Sequence, residues 1–107
     1  MRQPTPDAKA YVWWRAVIAG DPVSYHLNEI HAGFFKTRLT YRGPWWPARI
    51  WIVSEVDADG MLTSEERFAC HVAGEAADAL EQWPYLAKRP VPLAEYQQLC
   101  EERGVYD

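Results

Sequence analysis

The chain has 107 residues, 49% of them apolar and 14% aromatic, with a formal net charge of −4. That length supports one core and excludes a second, and that apolar fraction excludes a disordered chain. No apolar run reaches the roughly eighteen residues of a membrane span, and the opening Met1-Arg2-Gln3-Pro4-Thr5-Pro6-Asp7 lacks the pattern of a signal peptide. A cytoplasmic single domain over residues 1–107 is therefore expected, with residues 1–5 flexible.

Charge is unevenly divided along the chain. Residues 1–49 hold seven basic and three acidic side chains, whereas the remaining 58 hold four basic and twelve acidic ones. The division implies either a bipolar surface that meets charged partners or two halves that neutralise each other within the fold. The cysteines Cys70 and Cys100 are too few for a disulfide framework and read as small buried apolar residues.

In chain order, Thr5-Pro6-Asp7 predicts a helix start, with Thr5 as N-cap, and the helix is expected to run to Ala19, with Gly20 ending it. Its apolar residues cover more than one stripe, so one of the adjacent Trp13 and Trp14, about 100° apart on a helix, belongs at the edge of the core. Residues 21–32, with Ser24, His26, Asn28 and Glu29, read as a surface loop. Residues 34–41 alternate as a strand, with Phe35, Thr37, Leu39 and Tyr41 on its core side. Residues 48–56 form its return, and the two prolines of Pro44-Trp45-Trp46-Pro47 are expected to keep that connection out of the ladder. Pairing the strands to bury Ile50 and Ile52 with Phe35 and Leu39 collects Lys36, Arg38, Arg49 and Trp51 on the other face.

Further on, Asp57-Ala58-Asp59-Gly60 is a turn, and Thr63 to Glu66 fits a short helical turn closed by a capping box. Residues 67–73 predict a third strand closed by Gly74. A helix with Ala76, Leu80 and Trp83 on one face follows, stopped by Pro84. The last helix begins at Pro92, presents Leu93, Tyr96, Leu99 and Cys100, and ends at Gly104. The expected fold is α+β: a small antiparallel sheet of about three strands, with an N-terminal helix and two C-terminal helices packed against one face.

Motifs for chemistry are few. Residues 55–66 match the calcium-loop pattern at several positions, with Asp57 and Asp59 as acids and Gly60 at the turn, but Glu55 stands where the shorter Asp is needed and a strand precedes it, so a plain acidic turn is expected. The histidines His26, His31 and His71 lack zinc-ligand spacing, and Cys70 and His71, adjacent on a strand, point to opposite faces. No phosphate loop or nucleophile elbow occurs, and neither a catalytic residue nor a cofactor is assigned. The remaining concentration of chemistry is Lys36, Arg38, Arg42 and Arg49 with Trp45, Trp46 and Trp51, cations and rings of the kind that hold single-stranded nucleic acid. Its competitor is the acidic segment from Glu55 to Glu81, which opens with Glu55, Asp57 and Asp59.

The segments Gly33-Phe34-Phe35-Lys36-Thr37-Arg38 and Gly43-Pro44-Trp45-Trp46-Pro47-Ala48-Arg49-Ile50-Trp51, followed by Gly74, Asp78, Trp83 and Tyr96, resemble small proteins encoded by phages and prophages of proteobacteria. Those relatives read Gly-Tyr-Tyr-Arg-x-Arg, Gly-Gly-Pro-Trp-Val-Pro-x-x-Ile-Trp and a closing Pro-Ile-x-x-x-x-Tyr. This chain departs with Phe at 34 and 35, Lys at 36 and Trp at 46. The resemblance spans residues 33–96 and carries no catalytic role to any residue. It implies a cytoplasmic, phage-encoded protein. The function expected on this reading is a non-enzymatic protein that engages a host protein or nucleoprotein complex, by analogy an inhibitor of a defence system such as CRISPR. The alternative is a nucleic-acid-binding accessory protein that uses the basic and aromatic hairpin face.

Overall fold

The computed structural model describes residues 3–21 and 29–105. Its sheet is antiparallel and has four strands in sequential order: β1 Gly33–Arg38, β2 Trp45–Val53, β3 Arg67–Val72 and β4 Glu75–Ala77. The helices are α1 Asp7–Ala10, α2 Val12–Ile18, α3 Ala79–Leu86 and α4 Leu93–Arg103. Among the described residues, no helix is long and apolar enough to cross a membrane. The α+β class is as expected, with two differences. The fourth strand exists because Ala73 and Gly74 both take positive φ, 56° and 81°, and fold the chain back so that Val72 faces Glu75. Helix α3 accordingly begins later, with the Asp78 carboxylate accepting from the N–H groups of Leu80 and Glu81.

The helices also divide between the two faces of the sheet instead of sharing one. On one face, Trp13 of α2 and Trp83 and Leu86 of α3 pack on Phe35, Ala48, Ile50 and Cys70, all buried. On the other, α4 lies across β1 and β2, with the Tyr96 ring 4.8 Å from that of Phe34. Pro84 falls inside α3 instead of stopping it, and the residues the helix turns inward are Ala79, Trp83 and Leu86, while Leu80 is 65% exposed.

The N-terminal helix is broken at Tyr11, whose φ of −101° and ψ of 15° separate α1 from α2. Tertiary packing accounts for the break, since the Tyr11 ring stacks on Phe34 at 5.9 Å. Thr5 does not serve as the N-cap. Its N–H and hydroxyl both donate to the Glu66 carboxylate, at 3.0 and 2.7 Å, which ties residue 5 to the domain. Trp14 is the tryptophan at the core's edge: its indole N–H donates to the carbonyls of Phe34 and Val91, at 3.1 and 3.0 Å. A Cβ on Gly33 would lie 2.7 Å from Trp14 Cδ1, so only glycine lets α2 settle on the start of β1. The loop residues Ser24, His26 and Asn28 lie outside the described residues.

The hairpin is displaced from its expected bounds. β1 ends at Arg38, leaving Leu39 55% and Tyr41 90% exposed, and β2 starts at Trp45. The register sets Gly33 opposite Ile50, Phe35 opposite Ala48 and Lys36 opposite Pro47. Pro47 therefore sits in the ladder. It is tolerated because β3 has ended at Val72, where Pro47's missing N–H would have pointed, while its carbonyl accepts from Ala73 N–H at 2.8 Å. The outer edge of β1 is covered by the rigid segment before α4: Lys36 N–H donates to Arg89 O at 3.1 Å and Val91 N–H to Phe34 O at 3.0 Å.

A cationic groove at the end of the first hairpin as candidate functional site

The end of β1 sets Arg38 directly opposite Trp45, the first residue of β2. The strap that covers β1 brings Arg89 to the same place, held by its carbonyl's bond to Lys36 N–H. Three cations consequently surround one indole: Arg38 Cζ at 4.1 Å, Lys36 Nζ at 4.8 Å and Arg89 Cζ at 5.2 Å from the Trp45 ring centroid. Each such contact is worth about 0.5–1 kcal/mol at an exposed site, and the ring's negative face offsets part of the repulsion among the three charges. Only Lys36 has a carboxylate partner, Glu95 at 3.4 Å. Among the described residues, Arg38, Lys88 and Arg89 have none within ion-pair distance.

Beside this ring lies a groove of about 240 Å³ lined by Thr37, Arg38, Trp45, Tyr85, Lys88 and Arg89 together with Pro84. Among the described residues, no carboxylate lines it. The C-terminal end of α3 contributes weakly negative carbonyls there, an effect of about half a charge that the three cations exceed. An anion with several oxygens, a phosphate above all, suits guanidinium donors arranged in this way.

Of the residues singled out in the sequence, Lys36, Arg38 and Trp45 meet at this point, and Arg42 lies on the adjoining loop with its guanidinium 5.3 Å from the exposed Tyr41 ring. Trp46 is turned to Arg103, whose guanidinium lies 5.6 Å from its ring, while Arg103 Nε donates to Trp45 O at 3.2 Å. Arg49 and Trp51 share the face of Lys36 as expected but sit apart from the groove. Arg49 is half-buried between Phe34 and Trp51, 5.6 and 4.7 Å from their rings, and borders a separate pocket beneath Tyr96 of α4. Helix α4 thus splits the patch that a bare hairpin would have exposed whole. Tyr85, Lys88 and Arg89 carried no signal in the local pattern, since Tyr85 is placed by α3 continuing through Pro84 and Arg89 by the strap along β1.

The acidic stretch is spent internally for the most part. Asp57 Oδ1 accepts from the N–H groups of Asp59 and Met61, at 2.9 and 3.0 Å, and Val56 bridges Leu62, so the calcium-like segment is a tight turn. Glu55 pairs with Arg67 at 3.4 Å. Glu66 accepts from Thr5 and Ser54 and does not close a capping box, because Thr63 N–H and Oγ1 both donate to Glu55 O. Asp59 is exposed. Among the described residues, no three His, Cys, Asp or Glu side chains stand where they could hold a metal ion.

Cys70 and His71 point to opposite faces of β3, as their adjacency predicts. Cys70 faces the core, and the His71 ring meets Trp51 edge to face at 4.8 Å. Burial, and secondarily the charge of Asp78, push the Cys70 thiol up to about 11, so it is a packing group and not a nucleophile. Cys100 is half-buried on α4. His31, partly exposed, stacks on Trp13 at 5.1 Å and meets Trp83 at 5.9 Å at the edge of the aromatic core. No protein-family model, curated protein or solved structure matches the chain.

Proposed function

We propose that this chain is a non-enzymatic binding protein that takes up nucleic-acid phosphates in the groove beside Trp45. One observation carries the reading: Arg38, Lys88 and Arg89 converge on a concave surface that, among the described residues, no carboxylate lines. The net charge of −4 argues against a general polyanion binder. The acidic turn and the groove, however, lie at opposite ends of β2, a nine-residue strand about 26 Å long at ~3.3 Å per step, against a Debye length of about 8 Å in physiological salt. At the groove the local field counts for more than the total.

The setting proposed is the one the sequence resemblance implies, a phage-encoded protein in the host cytoplasm, with a host nucleoprotein complex such as CRISPR as its target by analogy with other compact phage proteins. A second reading has the acidic stretch that opens at Glu55 enter the basic groove of a host nuclease. Exposed Asp59 and Glu65 favour it, while the internal engagement of Glu55, Asp57 and Glu66 weakens it. Fluorescence anisotropy at low salt with end-labelled oligonucleotides, and with a labelled polyglutamate peptide as a phosphate-free polyanion, separates the cases. Binding of the oligonucleotides in preference to polyglutamate is expected. Equal binding of both would reduce the groove to a site for acidic protein, and binding of neither would remove it.

A further inference from the structure

Tyr85 occupies the solvent side of α3: its neighbours in the core are Trp83 and Leu86, 1% and 0% exposed, whereas Tyr85 is 67% exposed. Two residues from Trp83, it lies about 200° around the helix and has no route into the core. Its ring instead lines the groove with Arg38, Lys88 and Arg89. The Trp45 ring is taken up by cations, and the Tyr41 ring carries Arg42. Among the described residues, neither a ring nor a cation packs on Tyr85. The groove therefore combines one ring that concentrates positive charge with another whose face is open.

We infer that Tyr85 is a nucleobase-stacking plate and that the groove takes single-stranded nucleic acid. The inference rests on the phosphate-binding reading above. A phosphate held by Arg38 and Arg89 brings its attached nucleoside within the same concavity, and the open tyrosine face accepts any base without reading its edges. In a duplex the bases are stacked inward, so a plate set beside the phosphates reaches only an unpaired base. Trp45, in this account, positions the cations and does not itself stack on a base.

The test crosses a protein change with a probe change: wild type, Tyr85→Ala and Tyr85→Phe, each titrated with a labelled oligothymidylate, an abasic strand of the same length and a duplex. Tyr85→Ala is expected to lose about tenfold on oligothymidylate and to match wild type on the abasic strand and the duplex, with Tyr85→Phe retaining wild-type affinity throughout. An unchanged Tyr85→Ala on oligothymidylate overturns the inference, and so do equal losses on oligothymidylate and the abasic strand. Wild type bound to the abasic strand and no tighter to oligothymidylate removes the stacking and leaves the phosphate reading standing. Failure of wild type to bind any probe removes both.

Discussion

At the Ser54 end of β2, charge is abundant and in good part answered: Asp57 closes its own turn, Glu55 meets Arg67, and Glu66 holds Thr5 and Ser54 together. At the Trp45 end, Arg38, Lys88 and Arg89 gather around a groove where, among the described residues, no acid meets them. The contrast teaches that a run of charge in a sequence says little by itself. A carboxylate that orders a turn or anchors a terminus has its partners already, whereas cations held side by side on an indole retain donors for something else.

The largest expected effect breaks the groove alone. Arg38→Glu with Arg89→Glu should lower affinity for a single strand by a hundredfold or more, roughly 2.7 kcal/mol, because two attractions become repulsions. The double variant gives up two cation–π contacts with Trp45 and, among the described residues, no ion pair, so stability should fall by about 1–2 kcal/mol and affinity is compared on the folded protein. The converse change, Glu66→Ala, leaves three donors from Thr5 and Ser54 without their acceptor. It should cost about 2–3 kcal/mol of stability in urea unfolding while oligonucleotide binding by the folded protein is unaltered.

Between the two ends, Cys70 provides a pH handle that belongs to neither. Its thiol is raised from 9.0 to about 11, so the folded state holds the proton more tightly than the unfolded chain does. That contribution is fully present below pH about 9 and is lost as the pH rises toward 11, on the order of 2 kcal/mol. Urea unfolding of wild type and Cys70→Ala across that window should show the extra decline in wild type only. The smallest effect is at Asp59, exposed on the acidic turn. Asp59→Asn should change stability by less than about 0.5 kcal/mol and binding not at all, and a marked loss of partner binding there would revive the acidic end as a contact surface.

Much of this arrangement was legible in the sequence. The alternation around Phe35 and Ile50, the Asp57-Ala58-Asp59-Gly60 turn, the split roles of Trp13 and Trp14 and the Gly104 terminus all follow from local rules, and Gly104 indeed takes a φ of 65°. Local rules failed where tertiary contacts decided. Thr5 had a use as N-cap and found a stronger one on Glu66, and Pro47 entered a ladder whose neighbour had already ended. Leu39 and Tyr41 continued an alternation that the chain abandoned at Arg38. At the site, Lys36 and Arg38 were visible on one strand face, whereas Trp45 was expected in a connection held out of the ladder and instead pairs with Arg38. Arg89 was not, because its approach depends on Pro90-Val91-Pro92 running along the edge of β1, and Tyr85 follows from α3 continuing through Pro84.

The salt dependence of single-strand affinity tests the central claim most directly. Three phosphate-contacting cations give a slope of log K against log salt of about −2, at ~0.7 per contact, and Arg38→Glu with Arg89→Glu should flatten it toward zero. A slope near zero in wild type, or one that the double variant leaves unchanged, would contradict the account, since the charge at the Trp45 end would then be no more available than the charge at the other.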